Sequence, residues 1–250
     1  MPESDFKPLS YDLIGNTPDS NVVLGRLIGG DIKVVPLFRC DDSLFTMVRD
    51  EVMGIVARDP GQLLGAGHPT FDYVSKWDPT WRPVPGTISQ YSLLNSKHDF
   101  RYFEEDHHWY PDRRFNPALK AIPGFVERYF RSSELQNFRI QAIAGGGELG
   151  MHRERIVAVP RREQHYKLRF HLPVVSNPGV RFVMDGEEFR MAEGCVYLFN
   201  QACLHGVVNA GDALRVHCVF DAYLNDYIVL NLIGPSVAEA GPDAAASRRL

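Results

Sequence analysis

The sequence predicts a mainly β domain, closed as an antiparallel sandwich or barrel, with helices and long loops placed before it. Three observations carry this. From residue 136 the chain reads NFRIQAIAG, HYKLRFHLPVV, GVRFVMDGEEFRM, GCVYLFN and LRVHCVFDAYL, short β-branched or aromatic runs separated by turn signals. Asp185-Gly186, between two apolar stretches, has the composition of a two-residue hairpin turn. No long helical pattern intervenes, so the strands lack the crossover helices that parallel pairing needs and must pair antiparallel.

The earlier elements follow in order. VVLGRLIG and DIKVVPLF are expected as two short strands separated by Gly-Gly-Asp. Asp41 or Asp42 then offers a helix cap, and Leu44, Val48, Val52, Ile55 and Val56 recur at helical spacing up to the stop at Asp59-Pro60-Gly61. Residues 60–118, including WDPTWRPVPG and EEDHHWYPDRRFNP, show little periodicity and are expected as long ordered loops. Pro117 is expected to open a second helix through ALKAIPGFVERYFRS, broken or kinked at Pro123-Gly124. Residues 1–235 are expected to form one domain, with the β core over 136–235 and an Ala-rich flexible tail over 236–250.

Composition narrows the class. A chain of 250 residues, 44% hydrophobic, has material for a sizeable core. Its net charge of -4 gives no bulk electrostatic reason to bind nucleic acid or an anionic membrane. The local cluster Arg153, Arg155, Arg161 and Arg162 fits either a small anionic ligand or a solvated loop. No apolar stretch approaches the roughly 20 residues of a membrane span, and MPESDFKPLSYD lacks an apolar signal core, so a soluble cytoplasmic protein is expected. Cys40, Cys195, Cys203 and Cys218 show no zinc-like pairing and are expected as buried free thiols.

The chemistry concentrates in the β region. The triplet His152-Arg153-Glu154 follows a glycine-rich turn, and His205 lies far downstream in LFNQACLHGVVN. Two histidines and a carboxylate have the composition of a facial triad, which leaves positions on Fe(II) for a bidentate co-substrate and dioxygen. Arg215, ten residues beyond His205, opens the next strand and offers a planar bidentate partner for a carboxylate.

These residues carry a resemblance. From about 136 to 225 the sequence resembles the aspartyl/asparaginyl β-hydroxylase-like family of Fe(II)/2-oxoglutarate dioxygenases, which includes bacterial proline cis-4-hydroxylases and hydroxylases of other free or N-substituted amino acids. The matching motifs are the Gly-rich turn with His152-Arg153-Glu154, LRFHLPVV with Arg169 and His171, the acidic hairpin EFRMAEGCVYLFN, and HGVVNAGDALRVHCVFD. The resemblance implies a double-stranded β-helix, also called a jelly roll and cupin-like, with His152 and His205 as iron ligands. It implies Arg215 as partner of the distal carboxylate of 2-oxoglutarate, with Arg169 and His171 reaching the co-substrate as well. His171 also fits a barrel-lining histidine bonded to a neighbour. Glu154 departs from the pattern, since members with a full triad mostly carry Asp there. It is expected either to complete a three-ligand site or to swing away and leave a two-histidine one.

The substrate expected from the resemblance is a small carboxylate-bearing molecule, a free or N-substituted amino acid. Arg139, Arg153 and Arg155 are candidates to bind its carboxylate, and Tyr91, His108 and Trp109 to shape its pocket. For Tyr91 and Trp109, packing within a loop layer is an open alternative. His165 is expected on a surface loop, and a separate metal site at His107-His108 is not expected, because adjacent side chains diverge. Two other classes stay open: a cupin-like metalloenzyme without 2-oxoglutarate, and a non-enzymatic β-sandwich binding module.

Overall fold

In the computed structural model, which describes residues 25–27, 29–94, 119–130, 135–154, 158–159 and 162–223 with positions 228 and 233, strand β1 (Val34–Arg39) leads into helix α1 (Asp42–Arg58). Asp41 caps α1, its carboxylate accepting from the amides of Ser43 and Leu44 at 3.1 Å each. Leu44, Val48, Val52 and Ile55 form its buried face. The strand expected in VVLGRLIG is not found where that stretch is described. Gly25–Leu27 are helical, and the Asp31 amide returns to the Arg26 carbonyl at 3.0 Å, so local bonds replace a ladder.

The stretch expected as loops contains β2 (Gln62–Leu63), α2 (Pro69–Trp77) and β3 (Ile88–Leu94), while 95–118 lie outside the described residues. Helix α2 starts on Pro69, whose missing N–H costs nothing in a first turn, and His68 caps it by accepting from the Thr70 amide at 3.1 Å. Packing holds so short a helix: Val74 is fully buried, and Phe71 lies 5.5 Å from the Trp81 ring. Helix α3 (Ala121–Tyr129) begins later than expected and has no kink at Pro123, which sits in the first turn where its N–H would have no helical partner. The Glu51 carboxylate of α1 accepts from the amides of Lys120 and Ile122 at 2.6 and 2.7 Å.

The remaining strands are β4 (Leu135–Ile143), β5 (Glu148–His152), β6 (Ala158–Val159), β7 (Arg162–Val175), β8 (Val180–Met184), β9 (Glu187–Phe189), β10 (Cys195–Phe199), β11 (His205–Asn209) and β12 (Arg215–Tyr223). His165 therefore lies within a strand, not the expected loop. All pairings are antiparallel, in a large sheet ordered β1-β10-β7-β12-β4-β3-β2, with β6 beside β7, and a small sheet ordered β5-β11-β8-β9. Together they make the jelly roll. The hairpin at Asp185-Gly186 takes φ of 46° and 81° at its two residues, the positive values that such a turn requires, and joins β8 to β9.

The alternation of side chains along each strand decides what reaches the site. On β12, Val216, Cys218, Phe220 and Ala222 join the core beneath α1 and α3, with Phe220 stacked on Phe138 at 5.2 Å. The alternate residues Arg215, His217, Val219 and Asp221 face the other way, toward the small sheet, and they too are buried. A second core of Phe182, Met184, Phe199 and Val207 fills part of that space. All four cysteines are buried free thiols. No helix among the described residues is long and apolar enough to cross a membrane.

Candidate metal centre and active site

Strands β5 and β11 are neighbours, and their register sets His205 directly opposite His152, with ring centroids 4.3 Å apart. Each ring is aimed by its own strand. Nδ1 of His152 donates to the Gly150 carbonyl and Nδ1 of His205 to the Cys203 carbonyl, both at 2.8 Å. A carbonyl can only accept, so Nδ1 carries the proton and Nε2 keeps the lone pair that a metal needs. Burial, and then His152 beside it, pull the His205 pKa down to about 3, which keeps the imidazole neutral.

Glu154 joins them. Its backbone amide bonds the Gln201 carbonyl at 2.8 Å, and its Oε1 lies 3.6 Å from Nε2 of His152. One ligand atom from each of His152, Glu154 and His205 falls within 4.8 Å of the others. Two imidazoles and a carboxylate suit a non-haem Fe(II) ion that retains open positions, so the residues present fit such a metal. Burial alone would raise the Glu154 pKa, but Arg169, the contact with His152 and Lys167 hold it well below the usual range.

Arg169 also faces the centre, and it is already committed. Nη1 bonds the Glu154 carboxylate, while Nε and Nη2 clamp the two oxygens of Asp221 at 2.8 and 3.1 Å. A cavity of about 750 Å³ opens over these groups. Its wall includes Tyr73, Val74 and Trp77 of α2, and its floor includes Arg139, Gln141 and His171.

One layer beneath lies Arg215, fully buried, its guanidinium 5.1 Å over the Phe182 ring and bonded through Nη1 to the Gln141 side chain at 2.8 Å. Among the described residues its Nε and Nη2 have no hydrogen-bond partner. Burial lowers its pKa to about 9, so the charge is present at neutral pH, and among the described residues it has no counter-ion. Orphaned donors of this kind fit a bound carboxylate.

His171 and His217 meet at 3.4 Å between their Nδ1 atoms, where one must donate and the other accept. Burial, then Arg215, push both well below the ordinary histidine pKa. Above about pH 6.5 both are neutral whether folded or unfolded; below it only the unfolded chain gains the proton, so stability falls as pH falls. Denaturant unfolding of the metal-free protein is expected to lose about 2 kcal/mol per such histidine between pH 7 and pH 5. His217→Gln should reduce that loss by about one such increment.

The expected substrate residues separate. Arg139 lines the cavity. Arg153 does not: its exposed side chain pairs with Asp185 at 3.4 Å. Tyr91 belongs to the main core, where its hydroxyl donates to the Asp59 carbonyl at 2.8 Å, away from the cavity. Arg155, His107, His108 and Trp109 lie outside the described residues. Sequence reasoning passed over Asp221, His217, Gln141 and the α2 wall. The polar residues at every second place of RVHCVFD were the available signal for two of them.

Residues 112–224 match the family model described as Aspartyl/Asparaginyl beta-hydroxylase. No curated protein matches. Among solved structures, the chain is similar to the viral collagen prolyl hydroxylase of Paramecium bursaria Chlorella virus-1, with 7% identity over 76% of this chain and 94% of that one, at a TM-score of 0.41. It is similar also to an oxidoreductase of the 2OG-Fe(II) oxygenase family from Burkholderia pseudomallei, with 14% identity over 74% and 93% and a TM-score of 0.39. A predicted oxalate decarboxylase from Thermotoga maritima gives 13% identity over 36% and 69%, at 0.29. Over residues 112–224 the chain is thus similar to the aspartyl/asparaginyl β-hydroxylase family, the segment that carries His152, Glu154, Arg169, His205 and Arg215.

Proposed function

We propose that this protein hydroxylates an unactivated C–H bond of a small carboxylate-bearing substrate, a free or N-substituted amino acid, with His152, Glu154 and His205 holding Fe(II). One observation carries the reading. Two histidines with outward Nε2 atoms and a carboxylate converge on the wall of a cavity that has a buried, unsatisfied guanidinium beneath it.

Bound Fe(II), with 2-oxoglutarate and dioxygen, supplies an oxidant able to take hydrogen from an unactivated carbon. The chain does the rest. His152 and His205 are pre-aimed by their carbonyl contacts, so little reorganisation attends metal binding. Arg215, whose Nε and Nη2 are unsatisfied among the described residues, would hold the distal carboxylate of 2-oxoglutarate and gain a counter-ion from it. His171, held neutral, lines the co-substrate side without adding charge. Leu149, Phe199, Val207 and Val219 keep the reacting region apolar and limit water. Arg139 and Lys167, which line the cavity, favour a substrate carboxylate. The four free thiols suit a reducing compartment, in keeping with a cytoplasmic enzyme.

The test is succinate release from 2-oxoglutarate with a panel of free and N-acylated amino acids. At least one class is expected to raise release about tenfold or more over the substrate-free rate, with a hydroxylated product by mass. A rate unchanged by every member would reject the amino-acid substrate, and no 2-oxoglutarate consumption at all would reject the dioxygenase.

A further inference from the structure

Arg169 stands between two carboxylates, and the two hold it differently. Asp221 is fully buried and faces Arg169 directly across the β12–β7 ladder, gripping it side-on through Nε and Nη2. Asp221 is itself fixed from the opposite strand, where Asn137, its register partner on β4, donates to Oδ2 at 2.8 Å. Lys167 adds a longer contact at 3.5 Å to the same oxygen. The plane and position of the guanidinium are thereby set by three adjacent strands. From that position it meets Glu154 through Nη1 alone. Both side-chain contacts of Glu154, to Arg169 and to His152, fall on Oε1.

We propose that Asp221 is a positioning residue for the metal centre: by anchoring Arg169 it limits that arginine to a single contact with Glu154 and so keeps the carboxylate turned toward the metal. The inference rests on the metal reading above. An arginine released from Asp221 would have the half-buried Glu154 as its remaining carboxylate partner among the described residues and would be drawn to pair with both of its oxygens, the arrangement a guanidinium prefers. Glu154 would then be withdrawn from the metal. Asp221 thus acts two residues removed, through Arg169 and then Glu154.

The experiment measures anaerobic binding of Co(II), an oxygen-tolerant stand-in for Fe(II), by calorimetry and by its visible absorption, on the full chain. Asp221→Asn is expected to weaken Co(II) binding about tenfold or more, in the range typical of groups that orient metal ligands. In a Glu154→Gln background the same change is expected to alter affinity less than twofold, because the residue it acts through is gone. Asp221→Glu keeps the charge while displacing the grip by a methylene. It should weaken binding in the same direction at a near-native Tm, which covers the case that Asp221→Asn folds poorly. If the Asp221 variants lower Tm but leave Co(II) affinity unchanged, Asp221 is a structural ion-pair partner only and the proposal fails. It fails equally if Asp221→Asn costs as much in the Glu154→Gln background, since that is a through-space charge effect. If the intact protein binds no Co(II), or binds it independently of His152 and His205, the metal reading itself falls and the inference with it.

Discussion

Replacing His152 and His205 by alanine is expected to abolish the weak visible charge-transfer band that Fe(II) and 2-oxoglutarate give with the intact protein under anaerobic conditions. Each single replacement removes one of two nitrogens already aimed at a common point by carbonyl contacts at 2.8 Å. Loss of a group that merely orients a ligand costs about 10–100-fold in metal affinity, so loss of the ligand itself should exceed the upper end of that range. The fold should survive, because burial keeps the His205 imidazole neutral in the metal-free protein and its removal strands no buried charge. Circular dichroism and Tm of the metal-free variants provide that control. A band that persists in the double variant would remove the dioxygenase assignment for this site.

The second large effect is expected from Arg215→Met, and it has opposite signs for binding and for stability. Burying this guanidinium without a counter-ion lowers its pKa from 12.5 to about 9. The sign follows from linkage: stability is complete above the unfolded pKa and is lost as pH falls through about 9, so at pH 7 the whole cost is present. At about 1.4 kcal/mol per pKa unit, that cost is of the order of several kcal/mol. Methionine fills similar space without charge, so Tm of the ligand-free protein should rise. Affinity for 2-oxoglutarate should fall by about two orders of magnitude or more, as expected when one partner of a buried charged pair is removed. The thermal shift that 2-oxoglutarate gives the intact metal-loaded protein should disappear with it. Unchanged co-substrate affinity in the variant would assign the unsatisfied nitrogens of Arg215 to some other anion.

Local chemistry made much of the molecule readable. The cap at Asp41, the face Leu44, Val48, Val52 and Ile55, and the hairpin at Asp185-Gly186 follow from backbone and side-chain preferences that act within a few residues, and the structure has each of them. The antiparallel jelly roll followed from β-branched runs with no helices between them. His152, Glu154 and His205 stood out as candidate ligands because residue type alone limits what can hold a metal, and the structure brings one ligand atom of each within 4.8 Å of the others. Arg215 was recognisable in the same way from its place at the head of a strand.

Reading failed where non-local contact overrides propensity. Helix α2 was hidden in an aromatic, proline-rich stretch, because its stability comes from Val74 and Phe71 packing on Trp81 rather than from periodicity. Pro123 suggests a broken or kinked helix only if the start is placed too early; at the third residue of Ala121–Tyr129 it removes no helical hydrogen bond. The clamp of Asp221 on Arg169 had no sequence signal of its own, since the two lie far apart in the chain and meet only through the β12–β7 register. Residue types set which groups were available: two histidines, a glutamate and arginines on the neighbouring strands β7, β12 and β4. Packing assigned their partners. It committed Arg169 to two carboxylates, left Arg215 without one, and drew Arg153 and Tyr91 away from the cavity. The physical reason is that a side chain's type sets what it can bind, whereas its charge balance and burial are properties of neighbours that only strand register brings together.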